Sequence, residues 1–251
     1  MSKEAVILLA GQGTRLKPLT LTRHKCLTEV HGIPILVNTL SILEHQNFQK
    51  ATLVVGYLAN QIREYIGESF GKLKVEYVEN DKYAMTNTSY SLHRGLERMN
   101  SFDDIYILEG DVFFEQKLLD DLETFNGNNV TVVQAYDESL DGTFVELFED
   151  FVVDWTHKSE REPNYSVEDK YKTVNIHKFK HGFLEEYVIP ELEKSIEMFE
   201  GKEPLENVMR NIVRENPNKI KGMVLHGQKW FEIDDVKDLQ IAEKMFAKYE
   251  K

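Results

Sequence analysis

The chain has 251 residues, 41% of them hydrophobic and 29% charged, with a formal net charge of −13. That is the composition of an ordinary globular protein with one sizeable core, and its acidity argues against nucleic acid and anionic membrane surfaces as partners. Cys26 is the only cysteine, which excludes an intrachain disulfide, and no apolar run is long enough to span a bilayer.

The first residues, MSKEAVILLAG, read as a strand without a cleavage-site pattern, and the expected location is the cytoplasm. Ala5 to Ala10 are almost continuously apolar, which predicts a buried parallel strand. Gly11 and Gly13 follow at once and let backbone N–H groups approach whatever lies above the strand end. Thr14, Arg15 and Lys17 add a hydroxyl and two cations, and Lys25 returns shortly downstream. Residues 1–25 carry Lys3, Arg15, Lys17, Arg23 and Lys25 against Glu4 alone, so local charge opposes global charge and a polyanion is the expected occupant.

Apolar runs and helical patterns then alternate. A helix from about Pro34 to His45 is followed by the strand ATLVVGY and a helix from Ala59 to Phe70. The strand KVEYVEN precedes a helix from Ser89 to Met99, DIYILEGD precedes one from Glu115 to Phe125, and VTVVQAY is a further strand. This order predicts an α/β fold, a Rossmann-like, mostly parallel (mixed) sheet flanked by helices, with ligands beyond the carboxyl ends of the strands. From about Gly142 the pattern changes to a small antiparallel and helical lobe. GTFVELFED and FVVDWTHK form a pair, SEREPNYSVEDKY a polar loop and KTVNIHKF a strand; helices follow over Phe183–Phe199 and Leu205–Glu215. KGMVLHG, WFEID and a helix from Val236 to Tyr249, capped by Asp235, close the chain.

The glycine loop fits neither common phosphate-binding pattern. Leu16 stands where a dinucleotide fingerprint needs its third glycine, and the Walker spacing is absent. A loop that carries its own cations suits a triphosphate. Asp111 ends a strand at the carboxyl edge, where a metal can bridge to phosphate, and Glu232 and Asp234 alternate in an extended segment and so share a face. The eight histidines show no zinc-type spacing.

LLAGQGTRLKPLT, with Lys25 after it, resembles the signature of the nucleotidyltransferases that activate sugar phosphates and related phosphate esters, a superfamily of GT-A-like NTP transferases. The similarity extends to TNTSYSL, LEGDVFF, YKTVNIHKF and WFEIDDVKDLQIAE, and it resembles in particular the branch that transfers cytidylyl groups to phosphocholine or to phosphonates such as 2-aminoethylphosphonate. Leu9 stands where alanine is usual, and His24 where proline precedes the lysine.

The resemblance implies a single nucleotidyltransferase domain over residues 1–251: a nucleotide-binding core at 1–135, an acceptor-binding lobe at 136–228, and a metal-ligand segment with the last helix at 229–251. It implies attack on the α-phosphorus of CTP by a small phosphorylated or phosphonylated metabolite, with release of pyrophosphate, by a monomer or homodimer. Gly11, Gly13, Thr14 and Arg15 would hold the outer phosphates and Lys25 the α-phosphate, while Asp111, Glu232 and Asp234 would ligate Mg²⁺. Thr86, Asn87 and Ser89, with the backbone of Leu9 and Ala10, would read the cytosine. Glu146, Lys172, Asn175 and Trp230 would receive the acceptor, with Asp137, Trp155 and Tyr171 nearby. The alternatives are a sugar-1-phosphate nucleotidyltransferase using UTP or dTTP and a non-catalytic nucleotide sensor.

Overall fold

The computed structural model describes residues 2–99 and 103–247. β1 (Lys3–Leu9) leads through a loop to the short pair β2 (Glu29–Val30) and β3 (Ile33–Pro34), then α1 (Ile35–His45), β4 (Lys50–Val55), α2 (Ala59–Ile66), β5 (Ser69–Phe70) and β6 (Leu73–Glu79). α3 (Thr88–Leu96), β7 (Asp104–Glu109), β8 (Val112–Phe114), α4 (Gln116–Thr124) and β9 (Val130–Ala135) complete the first part. Then come β10 (Phe144–Phe148), β11 (Phe151–Thr156), β12 (Tyr171–Lys180), α5 (His181–Phe183), α6 (Ile189–Phe199), α7 (Leu205–Glu215), β13 (Lys221–Val224), β14 (Trp230–Glu232) and α8 (Val236–Met245).

Among the described residues, ten strands form one sheet in the order β10-β11-β13-β9-β12-β7-β1-β4-β6-β5. β7, β1, β4 and β6 run parallel, as do β9 and β13, and β12 joins these blocks antiparallel to both. The antiparallel strands expected as an acceptor lobe therefore continue the same sheet.

β1 is buried along its whole length because both faces of the sheet are covered. Ala5, Ile7 and Leu9 pack with Leu36, Leu40, Leu118 and Leu122 from α1 and α4, whereas Val6 and Leu8 pack with Leu92, Leu192, Val208 and Ile212 from α3, α6 and α7. A strand sandwiched in this way has no polar face to alternate with. A smaller cluster joins Leu16 of the glycine loop to Phe113, Ile233 and Ala242, seating the loop against the last strand and helix. Leu16 is thus a core residue where a dinucleotide loop would place glycine.

Several boundaries differ from expectation for local reasons. α2 ends at Ile66 because Gly67 takes a φ of 77°, and Ser69 and Phe70 turn back as a strand on β6. α3 ends at Leu96 rather than Met99. The helix expected from Phe183 begins at His181 and passes through a π turn over Leu184–Val188. Pro190 has no N–H to give to Glu186, and the irregular turn lies beside that missing bond. Asp235 caps α8 by accepting from the N–H groups of Lys237 and Asp238, while Asp238 answers through the Asp235 N–H. The expected end of that helix at Tyr249 lies outside the described residues. No described helix is long and apolar enough to cross a membrane.

Gly95 lets α3 lie directly on the sheet. A Cβ there would stand 2.6 Å from Val6 Cγ1 and 2.8 Å from Val54 Cγ2, both in the buried core. Gly95→Ala is expected to lower stability by about 1–3 kcal/mol, measured as a reduced urea midpoint with an unchanged far-ultraviolet circular dichroism spectrum.

Candidate active site

The glycine loop opens onto a cavity of about 930 Å³ at the carboxyl ends of β1 and β7. Gly13 has a φ of 58°, and its carbonyl accepts from Thr20 Oγ1 at 2.8 Å and from the Leu16 N–H at 3.1 Å. A Cβ on Gly13 would lie 3.0 Å from Lys25 Cβ, so glycine is required both for the left-handed turn and for the approach of the lysine. Gly11 borders open space; a Cβ there would meet nothing within 4 Å.

β14 pairs antiparallel with β8, setting Glu232 opposite Val112, and the Ile233 N–H donates to the Asp111 carbonyl at 2.9 Å. This short ladder brings the last segment of the chain to the end of β7. Lys25 lies between the two: its Nζ donates to Asp111 Oδ2 at 2.8 Å and to Asp234 Oδ1 at 2.7 Å. The lysine side chain is only 13% exposed. Burial pulls its pKa down, but the two carboxylates outweigh burial and hold it above the ordinary lysine value. Arg15, 72% exposed, reaches Asp234 Oδ2 at 2.8 Å.

A second group of carboxylates adjoins the first. Glu109, Asp111 and Glu232 each offer one oxygen, and these lie within 4.8 Å of one another. Burial, then the neighbouring Asp111, Glu206 and Glu232, push the Glu109 carboxyl well above its usual range, with Lys172 opposing. Burial also raises Glu232, with Lys172 pulling it down and the acids Asp111 and Asp234 pushing it up. Lys172 Nζ donates to Glu232 Oε2 at 3.1 Å and to the Thr173 carbonyl at 2.7 Å.

Asn175 sits where β12 slips register against β9, with a φ of 60°. Its Nδ2 donates to Glu109 Oε2 at 3.0 Å, and its Oδ1 accepts from Thr173 Oγ1 at 2.7 Å. Asp111 Oδ1 is buried without a hydrogen-bond partner. An orphaned carboxylate oxygen among acids that burial and mutual repulsion destabilise is the donor set a hard divalent cation takes.

A model of the MobA-like NTP transferase domain matches residues 5–166. The chain belongs to this family. It is 29% identical over 244 residues to the CMP-5'-(3-aminopropyl)phosphonate synthase of Streptomyces rubellomurinus, covering 97% of this chain and 38% of that protein. This chain therefore spans well under half the length of that relative. It is 26% identical over 249 residues to the choline-phosphate cytidylyltransferase of Streptococcus pneumoniae, covering 96% of this chain and 97% of the other. The solved structure of CTP:phosphocholine cytidylyltransferase from Streptococcus pneumoniae superposes with a TM-score of 0.76 at 23% identity, over 97% and 99% of the two chains, which establishes a shared fold.

In this NTP transferase domain, Leu9, Ala10, Gly11, Gly13, Thr14, Arg15, Lys25, Thr86, Asn87, Asp111, Lys172, Asn175, Trp230, Glu232 and Asp234 all line the one cavity. Ser89 does not. It is fully buried at the start of α3 and gives its hydroxyl to the Glu203 carbonyl, so Thr88 and Ser91 line the cavity instead. Glu146 does not line the cavity either: in β10 it stands opposite Asp154 of β11, is exposed, and accepts from Lys170 Nζ at 3.0 Å. Asp137 is exposed and accepts from Ser139 in a turn, and Trp155 and Tyr171 pack into the core beneath α7.

The sequence reading missed Glu109, Glu206, Tyr83 and Asn80, which line the cavity. Glu109 was within reach, because it lies two residues before Asp111 at a strand end. Asn80 is buried and donates to Thr86 Oγ1 and Ser91 Oγ, holding two hydroxyls of the segment that was read as base-binding.

His24 supports the lysine turn. Its Nδ1 accepts from the Cys26 N–H at 3.2 Å, and burial lowers its pKa to about 4. Burial pushes the Cys26 thiol up, so no thiolate forms. The unfolded chain protonates this histidine near its ordinary pKa while the folded protein resists until about pH 4, so its stabilising share is whole above pH 7 and falls as pH drops through this window. Urea unfolding of His24→Gln is expected to show a loss between pH 7 and pH 5 smaller than wild type by about 2 kcal/mol.

Proposed function

We propose that this chain is a cytidylyltransferase that joins CMP from CTP to a small phosphate- or phosphonate-bearing acceptor with a cationic amine at its far end. The meeting of Lys25, Asp111 and Asp234 beneath the glycine loop carries this reading. Those three lie far apart in the chain, and together they suit charge movement at a phosphorus.

An acceptor oxygen attacks the α-phosphorus; the new P–O bond forms as the bond to the α,β-bridging oxygen breaks, and pyrophosphate leaves with that electron pair. The amides around Gly11 and Gly13, with Thr14 and Arg15, would hold the outer phosphates. Lys25 would lie against the α-phosphate, where charge moves. Mg²⁺, held by Asp111 and Glu232 with Asp234 and Glu109 beside them, would supply positive charge against that of the phosphates. Thr86, Asn87 and the backbone of Leu9 and Ala10 would meet the cytosine.

Two observations support an amine-bearing acceptor. Glu109, Glu206 and Glu232 line the same cavity, where Lys172 is the neighbouring cation and is already tied to Glu232. Trp230, whose ring has the Lys172 ammonium 5.7 Å from its centroid, is the tryptophan of that wall. Carboxylates that attract a cationic nitrogen by charge outnumber aromatic faces. The names of the Streptomyces and Streptococcus relatives point the same way, to aminopropylphosphonate and choline phosphate.

The protein should be incubated with each nucleoside triphosphate, Mg²⁺ and inorganic pyrophosphatase, and with 2-aminoethylphosphonate, phosphocholine or glucose 1-phosphate as acceptor. Phosphate release is expected with CTP and an amine-bearing acceptor. Release with glucose 1-phosphate and UTP or dTTP, and none with CTP, would replace this reading by a sugar-phosphate nucleotidyltransferase; nucleotide binding without release would leave a sensor. Lys25→Met is expected to cut kcat by about 10²-fold or more. Glu206→Gln is expected to raise KM for the acceptor by about tenfold, the loss of one charge-assisted contact, with KM for CTP unchanged.

A further inference from the structure

Lys25 and Arg15 occupy carboxylate oxygens that the proposed reaction needs for another purpose. Both oxygens of Asp234 carry a cation, Lys25 Nζ at 2.7 Å on Oδ1 and Arg15 Nη2 at 2.8 Å on Oδ2. Asp111 has Lys25 on Oδ2 at 2.8 Å and keeps Oδ1 without a partner. The lysine is largely buried, so its ammonium leaves these carboxylates only for another anion. A long flexible stem lets a lysine make such a transfer without moving its backbone.

We propose that Lys25 is the resident counter-ion of the metal site, holding Asp111 and Asp234 until the phosphates of a nucleotide draw it away. This rests on the reading that Asp111 ligates a divalent cation. A metal arriving alone must displace a buried ammonium from its ligands, and a triphosphate arriving alone must strip two carboxylates of their cation. When both arrive, the lysine passes from carboxylate to phosphate and the metal takes its place. Each ligand then removes the other's competitor, so nucleotide and metal bind with positive and reciprocal coupling.

The test is Mn²⁺ binding to nucleotide-free protein, followed by the electron paramagnetic resonance signal of the free ion. Lys25→Met is expected to bind Mn²⁺ more tightly than wild type by about tenfold or more, equal to about 1.4 kcal/mol. Lys25→Arg, which keeps the cation, is expected to bind no more tightly than wild type. Arg15→Met removes the exposed cation of Asp234 without disturbing the core and is expected to give a smaller gain, about threefold. Thermal unfolding confirms which variants are folded; if Lys25→Met is not, the Arg15→Met result decides.

Equal or weaker Mn²⁺ binding by a folded Lys25→Met, or by Arg15→Met in its place, overturns the inference. The cytidylyltransferase reading survives that result if wild type turns over CTP. Tight binding by Lys25→Met that persists when Asp111→Asn is added puts the metal elsewhere and overturns the metal assignment as well.

Discussion

One ammonium group ties together three parts of the chain, since Lys25 meets Asp111 and Asp234 across sequence separations of 86 and 209 residues. The net stability of such a buried cluster is small, because desolvating the charges costs nearly what their attraction returns. Its geometric effect is large. Removing the lysine would leave two carboxylates facing each other beside Glu109 and Glu232, so the glycine loop, the end of β7 and the segment after β14 are held in one arrangement by charge balance.

The β12 side of the cavity depends on a different device. β12 runs antiparallel between β7 and β9, and its slip of register places Asn175 in a left-handed conformation with its amide on Glu109. A neutral donor suits that position. It orients the carboxyl of Glu109 whether or not the group is ionised, and so leaves the charge of the site to be set by Asp111, Glu232 and whatever binds between them. The Thr173 hydroxyl fixes the amide in turn, so one irregularity in one strand orients three side chains.

The first half of this architecture was legible because its signals are local. Continuous burial leaves a continuous apolar run in β1, and a left-handed turn packed against a lysine leaves Gly13. Asp111 announced itself by lying just past a strand at the carboxyl edge of the sheet. The pairing of β14 with β8 could not be read, since two three-residue strands far apart in the chain carry no mark of each other; only the alternation of Glu232 and Asp234 hinted at a shared face. The residues that fall outside the cavity do so for one cause. Ser89, Glu146 and Trp155 have suitable chemistry in suitable elements, and each points away from the cavity: into a helix contact, into solvent, or into the core. The direction of a side chain in a strand or a first helical turn is set by tertiary packing, which the local pattern does not encode.

The acidity of the chain and its expected taste for a polyanion are reconciled within the cavity. Glu109, Asp111, Glu206, Glu232 and Asp234 line it against Arg15, Lys25, Lys172 and the exposed Lys158, and Lys158 is itself paired with Asp141. A triphosphate alone would add negative charge to a surface whose cations are already engaged. In the proposed reaction a divalent cation would change the balance, because it would take the carboxylates and return Lys25 and Arg15 to the phosphates. The acids would therefore make nucleotide binding conditional on metal, while Glu206, outside the carboxylates proposed to hold the metal, would remain attractive to the cationic end of the acceptor. A more basic site would hold the triphosphate without metal and lose that condition.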